Sequence, residues 1–355
     1  MLDEDKFSRL RQGCVIPAHP LALTPEKKLD ERHQRALTRY YLAAGAGALA
    51  VGVHTTQFAI HDADVGLYRP VLELVIETAR ARATSGASVP PIMIAGVVGQ
   101  TQQAVREAEL ATDLGYDLGL LSLTALRGKS VDDLITHARA VSEVIPVMGF
   151  YLQPAISRMM LSRKFWSRFV EIPNVRAIKI APFNRYCTLD VLEAVACSGR
   201  HDEIALYTGN DDNIVADLVA LHVFGTRHGQ VTVRIVGGLL GQWACWTKRA
   251  VEQLTAIRRV REGGEPIPPE MLVRGGQLTL ANKAIFDADH AFQGCIPGIS
   301  YVLNRQGLMA NVTALDPADQ LSPGQAERID EIIRLYPHLT DDEFVAANLS
   351  SWLAP

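Results

Sequence analysis

The chain has 355 residues, 48% of them hydrophobic, and a formal net charge of −4 at pH 7. This length and composition can bury a large core, and a single α/β barrel with an appendage fits them. The acidic balance argues against a nucleic-acid partner or an anionic membrane surface, since both are bound by basic patches.

Short apolar stretches alternate with amphipathic stretches along most of the chain. Strands covered on both faces are typically apolar throughout, and we predict eight: 13–17, 47–53, 91–98, 117–123, 146–152, 175–180, 204–208 and 231–236. The helices that we predict between them cover 25–44, 65–83, 101–114, 130–144, 161–170, 189–196 and 214–224. Thr24 as a cap and Pro25 in the first turn indicate the start of the first helix, and Gly45 indicates its end.

Strands and helices that alternate at a spacing of roughly 25 to 30 residues favour a (β/α)8 TIM barrel over an open sheet. We predict that this barrel spans 1–262 and carries the active site. The remainder, 263–355, has only helical patterns, including one over 325–335, and is predicted to be a C-terminal helical extension without chemistry of its own.

The predicted strand 175–180 contains a lysine, Lys179, near its C-terminal end. Burying an ammonium group without a partner costs several kcal/mol, so a lysine inside a core strand needs a reason. Desolvation favours the uncharged amine, which is a nucleophile that can form an imine with a ketone. The alternative is an edge-strand lysine whose ammonium group remains in water.

Polar residues follow several of the other predicted strands, at the end of the barrel where active sites lie. They are His54, Thr55 and Thr56 after the second strand, Tyr151 at the fifth, Gly209, Asn210, Asp211 and Asp212 after the seventh, and Gly237 and Gly238 after the eighth. A tyrosine can move protons, and hydroxyls and glycine amides can hold a carboxylate. Each feature also has an ordinary structural explanation, as a packed tyrosine, a turn or a helix cap.

The segment 171–179, EIPNVRAIK, resembles the IPNVxGIK segment of the dihydrodipicolinate synthase and N-acetylneuraminate lyase family of class I aldolases. Residues 151–154, YLQP, resemble the YNxP motif of that family, and 207–212, YTGNDD, are similar to its GxDE-type loop. The resemblance implies that Lys179 forms a Schiff base, that Tyr151 shuttles protons, and that the third segment binds substrate hydroxyls. It also implies a homo-oligomer, a tetramer or a dimer.

The sequence departs from the family pattern at several positions. The carboxylate-binding GTTGE loop is replaced by GVHTTQ over 52–57, the asparagine of YNxP by Leu152, and an arginine after that motif by Ile156. Residues 123–126, LTAL, stand where the family has paired tyrosines. These departures argue against dihydrodipicolinate synthesis, and we expect a family member with a different substrate.

We therefore predict a lyase that acts on a 2-keto acid through an imine on Lys179. Aldol cleavage and dehydration of a 3-deoxy-2-keto sugar acid both fit. The alternative is a non-catalytic relative that binds a keto acid or sugar acid as a sensor.

We expect no cofactor and no metal, because no histidine and carboxylate set of adequate size follows the strands. The cysteines lack a CxxC spacing and are expected to be reduced in a cytoplasmic protein, since the charged N-terminus shows no signal peptide. No apolar run reaches the roughly 18 residues of a membrane span.

Overall fold

The computed structural model describes residues 3–84, 89–227, 229–264 and 266–354. The strands are β1 (Val15–Pro17), β2 (Ala48–Val51), β3 (Ile92–Val97), β4 (Leu118–Leu121), β5 (Val147–Tyr151), β6 (Val175–Ile180), β7 (Ala205–Thr208), β8 (His222–Thr226), β9 (Gly229–Val233) and β10 (Ile235–Leu240). The helices are α1 (Glu4–Gln12), α2 (Glu31–Ala44), α3 (Tyr68–Thr84), α4 (Thr101–Leu114), α5 (Val131–Ser142), α6 (Pro154–Ser157), α7 (Arg163–Phe169), α8 (Arg185–Cys197), α9 (Ile214–Val219), α10 (Thr247–Gly263), α11 (Pro269–Ile285), α12 (Cys295–Arg305), α13 (Gln325–Leu335) and α14 (Asp342–Trp352).

Eight of the strands form one sheet in the order β1-β10-β7-β6-β5-β4-β3-β2, and β8 and β9 form a separate pair. A parallel bridge between Ala18 and Ala50 links the ends of that order and nearly closes the sheet. Helices lie between successive strands. The predicted TIM barrel is therefore confirmed. Across the described residues, no helix is both long and apolar enough to cross a membrane.

The chain divides into two compact units: residues 1–14 with 92–239, and residues 15–91 with 240–355. In the first unit, α7 packs closely against β5 because Gly149 presents no side chain. A Cβ at Gly149 would lie 2.6 Å from the ring of Phe169. Phe165, Trp166 and Phe169 are buried and pack edge to face or tilted against one another, which stabilises this layer.

In the second unit, the C-terminal helix α14 packs against α2 around an aromatic cluster. The rings of Tyr40 and Trp352 lie 5.5 Å apart, and Tyr40 Oη donates a 2.7 Å hydrogen bond to Asp341. Burial raises the pKa of Asp341 above its ordinary value, although the hydrogen bond from Tyr40 opposes the rise. This end of the chain is therefore held by both apolar packing and a buried polar network.

Several predicted elements match the structure, and three need correction. The elements over 101–114, 175–180 and 325–335 have the predicted bounds. The helix predicted over 25–44 begins at Glu31, because Asp30 caps it by accepting a hydrogen bond from the amide of His33, whereas Thr24 closes a preceding turn with Lys28.

The eighth barrel strand is not 231–236, as predicted, but β10, and the helix predicted to reach residue 224 ends at Val219. The intervening residues form the antiparallel hairpin β8–β9, in which His222 pairs with Val233. The physical reason is visible in the exposure pattern. Side chains of β8 alternate between exposed and half-buried, whereas those of β10 are nearly all buried, as a barrel strand requires.

Candidate functional site

Lys179 is the fifth of the six residues of β6, and its side chain is buried, with 6% of the residue exposed. It pairs in register with Phe150 of β5 and Tyr207 of β7. Its Nζ lies 4.3 Å from the centroid of the Phe150 ring, within the range of a cation–π interaction. The lysine that the sequence places in a core strand is therefore inside the first unit and near the C-terminal end of its strand.

Gly209 makes room for this lysine at the end of β7. A Cβ at that position would lie 2.8 Å from Lys179 Cε and 2.7 Å from the Cβ of Ala181. Its backbone amide donates to the carbonyl oxygen of Ile180 at 2.7 Å, so it is not available to a ligand. The sequence predicted Gly209 as a ligand-binding residue, whereas its visible structural role is to leave space for the lysine side chain.

Tyr151 does not lie beside Lys179. It pairs with Ile180, one residue beyond the pair of Phe150 and Lys179. Because neighbouring residues of a strand point to opposite faces, the side chain of Tyr151 leaves β5 on the face opposite to that of Phe150.

The contacts of Tyr151 are with the helical layer. Its Oη accepts a 3.2 Å hydrogen bond from the amide of Leu161, and its ring lies 5.5 Å from that of Trp166. Burial raises the pKa of Tyr151 well above its ordinary value, and a hydrogen bond with Cys187 of α8 raises it further. The residue of β5 that contacts the lysine is Phe150. The motif indicates the tyrosine instead, because a motif does not fix the face of the strand on which each side chain lies.

The loop after β7 is held by Asp217 of α9, a fully buried carboxylate. One oxygen accepts hydrogen bonds from Thr208 Oγ1 at 2.6 Å and from Asn210 Nδ2 at 3.0 Å. The other accepts from Asn213 Nδ2 at 2.9 Å and from the guanidinium of Arg185, with which Asp217 forms an ion pair. These bonds compensate the cost of burying the charge. An aspartate within the apolar segment 214–219, IVADLV, was the sequence signal for this role.

Asn210 joins this loop to the loop that follows Lys179. Its Oδ1 accepts a 3.0 Å hydrogen bond from the amide of Phe183, while its Nδ2 donates to Asp217 and Thr188. Both ends of the Asn210 amide are therefore engaged within the protein. Asp211 is buried, with 8% exposed, and burial raises the pKa of Asp212 above its ordinary value. These two carboxylates remain the candidate groups for substrate hydroxyls.

Gly237 lies within β10 and not after a strand as predicted. It pairs with Tyr207, and a Cβ there would lie 2.5 Å from the carbonyl oxygen of Cys14. Its lack of a side chain is thus explained by the close approach of the Cys14 backbone. The neighbouring amide of Gly238 donates to that same carbonyl oxygen at 3.3 Å.

In the second unit, His54, Thr55 and Thr56 form a single 3-10 turn after β2. The Thr56 hydroxyl donates to the carbonyl oxygen of His19 at 2.6 Å and accepts from the amides of Gly52 and Val53. This hydroxyl is therefore used to fix the turn.

Thr55 and His54 differ from Thr56. Thr55 is also buried, with 4% exposed, but in the part of the chain that the structure describes its hydroxyl has no hydrogen-bond partner. His54 is half-buried, and its ring lies 5.7 Å from that of Phe58. Of the two predicted hydroxyls, only that of Thr55 remains available to a carboxylate.

The profile of the Dihydrodipicolinate synthetase family matches residues 12–248 of the chain. A 4-hydroxy-tetrahydrodipicolinate synthase from Cyanothece sp. is 25% identical over 65% of this chain and 73% of its own length. An N-acetylneuraminate lyase from Citrobacter koseri is 26% identical over 57% of this chain and 64% of its own length, slightly less than two thirds of that relative.

Among solved structures, a dihydrodipicolinate synthase from Bacteroides thetaiotaomicron superposes with a TM-score of 0.71 at 15% identity. The match covers 92% of this chain and 99% of that one. At this identity the likeness shows the fold alone. The two curated relatives bear the names of enzymes with different substrates, so they do not identify a substrate for this chain.

Proposed function

Because the chain belongs to the dihydrodipicolinate synthetase family, we propose that it is a class I aldolase-type lyase that forms a Schiff base between Lys179 and a 2-keto acid. The observation that carries this proposal is the environment of Lys179. Its amine is buried near the end of a barrel strand, and the glycine at position 209 leaves space for its side chain. A barrel places its chemistry at that end of the strands.

The imine chemistry needs only the amine and a means of moving protons. The Lys179 amine attacks the keto carbon, water leaves, and the resulting protonated imine withdraws electrons from the adjacent carbon. The bond that then breaks is either the carbon–carbon bond, which releases an aldehyde, or a carbon–oxygen bond, which releases water. Both reactions proceed from the same protonated imine.

Proton transfer is where this chain differs most from the pattern that its sequence suggested. Phe150 contacts the lysine and has no exchangeable proton, whereas the hydroxyl of Tyr151 contacts the helical layer. The proton-shuttle role of Tyr151 stays a prediction, and its contacts favour a role in packing. A water molecule or a group of the substrate can move the proton instead.

We further propose a 3-deoxy-2-keto sugar acid as the substrate. The support is the pair of carboxylates, Asp211 and Asp212, in the loop that Asp217 fixes after β7. Carboxylates accept hydrogen bonds from sugar hydroxyls. Thr55 is the preferred candidate for the substrate carboxylate, because its hydroxyl is available whereas that of Thr56 is engaged. The comparisons give the non-catalytic sensor no support.

Reductive trapping tests the proposal directly. The protein is incubated with pyruvate and borohydride, its intact mass is measured, and the modified peptide is mapped. We expect an adduct on Lys179 that disappears in Lys179→Ala and persists in Lys164→Ala, a control at a lysine of α7. Next, 3-deoxy-2-keto sugar acids are screened for pyruvate release against loss of water. An adduct on another residue, or no adduct and no turnover with any of these acids, would refute the imine mechanism.

A further inference from the structure

A cavity lies within the first unit, away from the lysine. Its volume is about 470 Å³, and it is lined by α1, by the beginnings of β7 and β10, and by the residues that precede those strands. Lys179 is not among the lining residues and lies near the opposite, C-terminal end of its own strand. The cavity is therefore distinct from the candidate active site.

Two arginines from separate elements line this cavity. Arg11 lies on α1, and Arg234 immediately precedes β10. Neither guanidinium forms an ion pair with any carboxylate in the described residues. Arg11 lies over the ring of Phe7, with its central carbon 5.7 Å from the ring centroid, an arrangement that leaves its N–H groups free to donate at the edge.

The remaining charged groups leave the cavity positive. Asp202 is the one acidic residue of the lining, and it lies 3.6 Å from the Nε2 of His201. The other ring nitrogen of His201, Nδ1, is buried and has no hydrogen-bond partner among the residues that the structure describes. Two guanidinium groups and one carboxylate thus line the cavity, and the carboxylate lies beside a histidine. This local excess of positive charge contrasts with the formal net charge of −4 of the whole chain.

The floor of the cavity is apolar. Leu206 and Val233 are both buried core residues that line it. Scattered surface arginines are usually solvated and bind nothing in particular. Here two arginines and an apolar floor line one cavity, whose size is typical of small-molecule sites, roughly 300 to 1,000 Å³. Guanidinium groups bind carboxylates and phosphates through paired hydrogen bonds.

We propose that this cavity binds a small organic anion, with its carboxylate or phosphate held by Arg11 and Arg234 and its apolar body against Leu206 and Val233. The ligand is recognised by the combination of an oxyanion and an apolar group. The site does not depend on the imine chemistry, so it stands or fails separately from the proposed function.

Isothermal titration calorimetry with four probes tests the proposal: phenyl phosphate, benzoate, inorganic phosphate and the uncharged benzamide. We expect phenyl phosphate or benzoate to bind at least tenfold more tightly than inorganic phosphate and benzamide. A preference for phenyl phosphate indicates a phosphate-bearing ligand, and a preference for benzoate indicates a carboxylic acid.

Arg11→Gln and Arg234→Gln should each weaken the preferred probe at least tenfold. Arg106→Gln, which removes the same charge from the exposed face of α4, should not change its affinity, and neither should Lys179→Ala. Circular dichroism and thermal melting establish that the variants are folded. No binding of any probe at millimolar concentration, equal binding of benzamide, or binding that survives both arginine substitutions would overturn the proposal.

Discussion

Replacing Gly209 by alanine adds one methyl group beside the candidate Schiff-base lysine. The added Cβ would lie 2.8 Å from Lys179 Cε, 2.7 Å from the Cβ of Ala181 and 3.3 Å from the carbonyl oxygen of Leu239. The backbone of Gly209 is outside the left-handed region, so alanine meets no conformational strain there. The effect of the substitution is therefore steric.

The two short contacts have different consequences. The lysine side chain can rotate away from the new methyl group, which moves the amine from its position. Ala181 can move only with its backbone, so this contact should appear as lost stability. Overpacking by one methyl group typically costs about 1 to 3 kcal/mol. We expect Gly209→Ala to lower the free energy of unfolding by roughly that amount and the rate of pyruvate trapping by about tenfold or more.

Urea denaturation and borohydride trapping measure the two effects separately. Ala181→Gly in the Gly209→Ala background should restore most of the stability but not the trapping rate, because the contact with the lysine persists. Gly276→Ala is the matched control: nothing lies within 4 Å of that added Cβ, and alanine in the helix α11 should be neutral or stabilising by up to about 1 kcal/mol. If Gly209→Ala changed neither the stability nor the trapping rate, the conclusion that Gly209 leaves space for the Lys179 side chain would be refuted.

Four further expectations follow from the described contacts. Lys179→Ala should abolish turnover and trapping while the protein remains folded, and turnover retained by the folded variant would exclude the imine. Tyr151→Phe should lower stability by about 1 kcal/mol, because it removes a hydrogen-bond acceptor, and leave kcat within tenfold; a fall in kcat of about two to four orders of magnitude would instead establish the proton shuttle. Thr55→Val should raise KM roughly tenfold without loss of stability, whereas Thr56→Val, which removes three hydrogen bonds, should lose about 2 kcal/mol of stability; equal KM values for parent and Thr55→Val would place the carboxylate elsewhere. Burial lowers the pKa of His19 from 6.5 to about 4, so between these pH values His19 binds a proton in the unfolded chain but not in the folded protein. This difference should lower the free energy of unfolding by about 2 kcal/mol from pH 7.5 to pH 5. Urea titrations of the parent and of His19→Gln measure the effect, and parallel pH dependences of the two proteins would contradict it.

The sequence by itself determined the features that depend on neighbouring residues. The β-branched residues Val175, Ile178 and Ile180 specified β6 with its lysine. Gly45 and Gly115 end α2 and α4 in the left-handed conformation that glycine adopts without steric cost. The alternation of such elements was sufficient for the barrel, because a strand and the helix after it are local units whose packing is nearly always of one hand.

Only the tertiary structure decided which side chains meet. Whether Phe150 or Tyr151 contacts Lys179 depends on the register between β5 and β6, and a shift of one residue moves a side chain to the other face. Register is a long-range property, set by pairing and by the helices that cover the strands. For the same reason, the hairpin β8–β9 could not be told from a barrel strand by its composition, and Asp217 could not be linked to Asn210 and Arg185 before the fold brought them together.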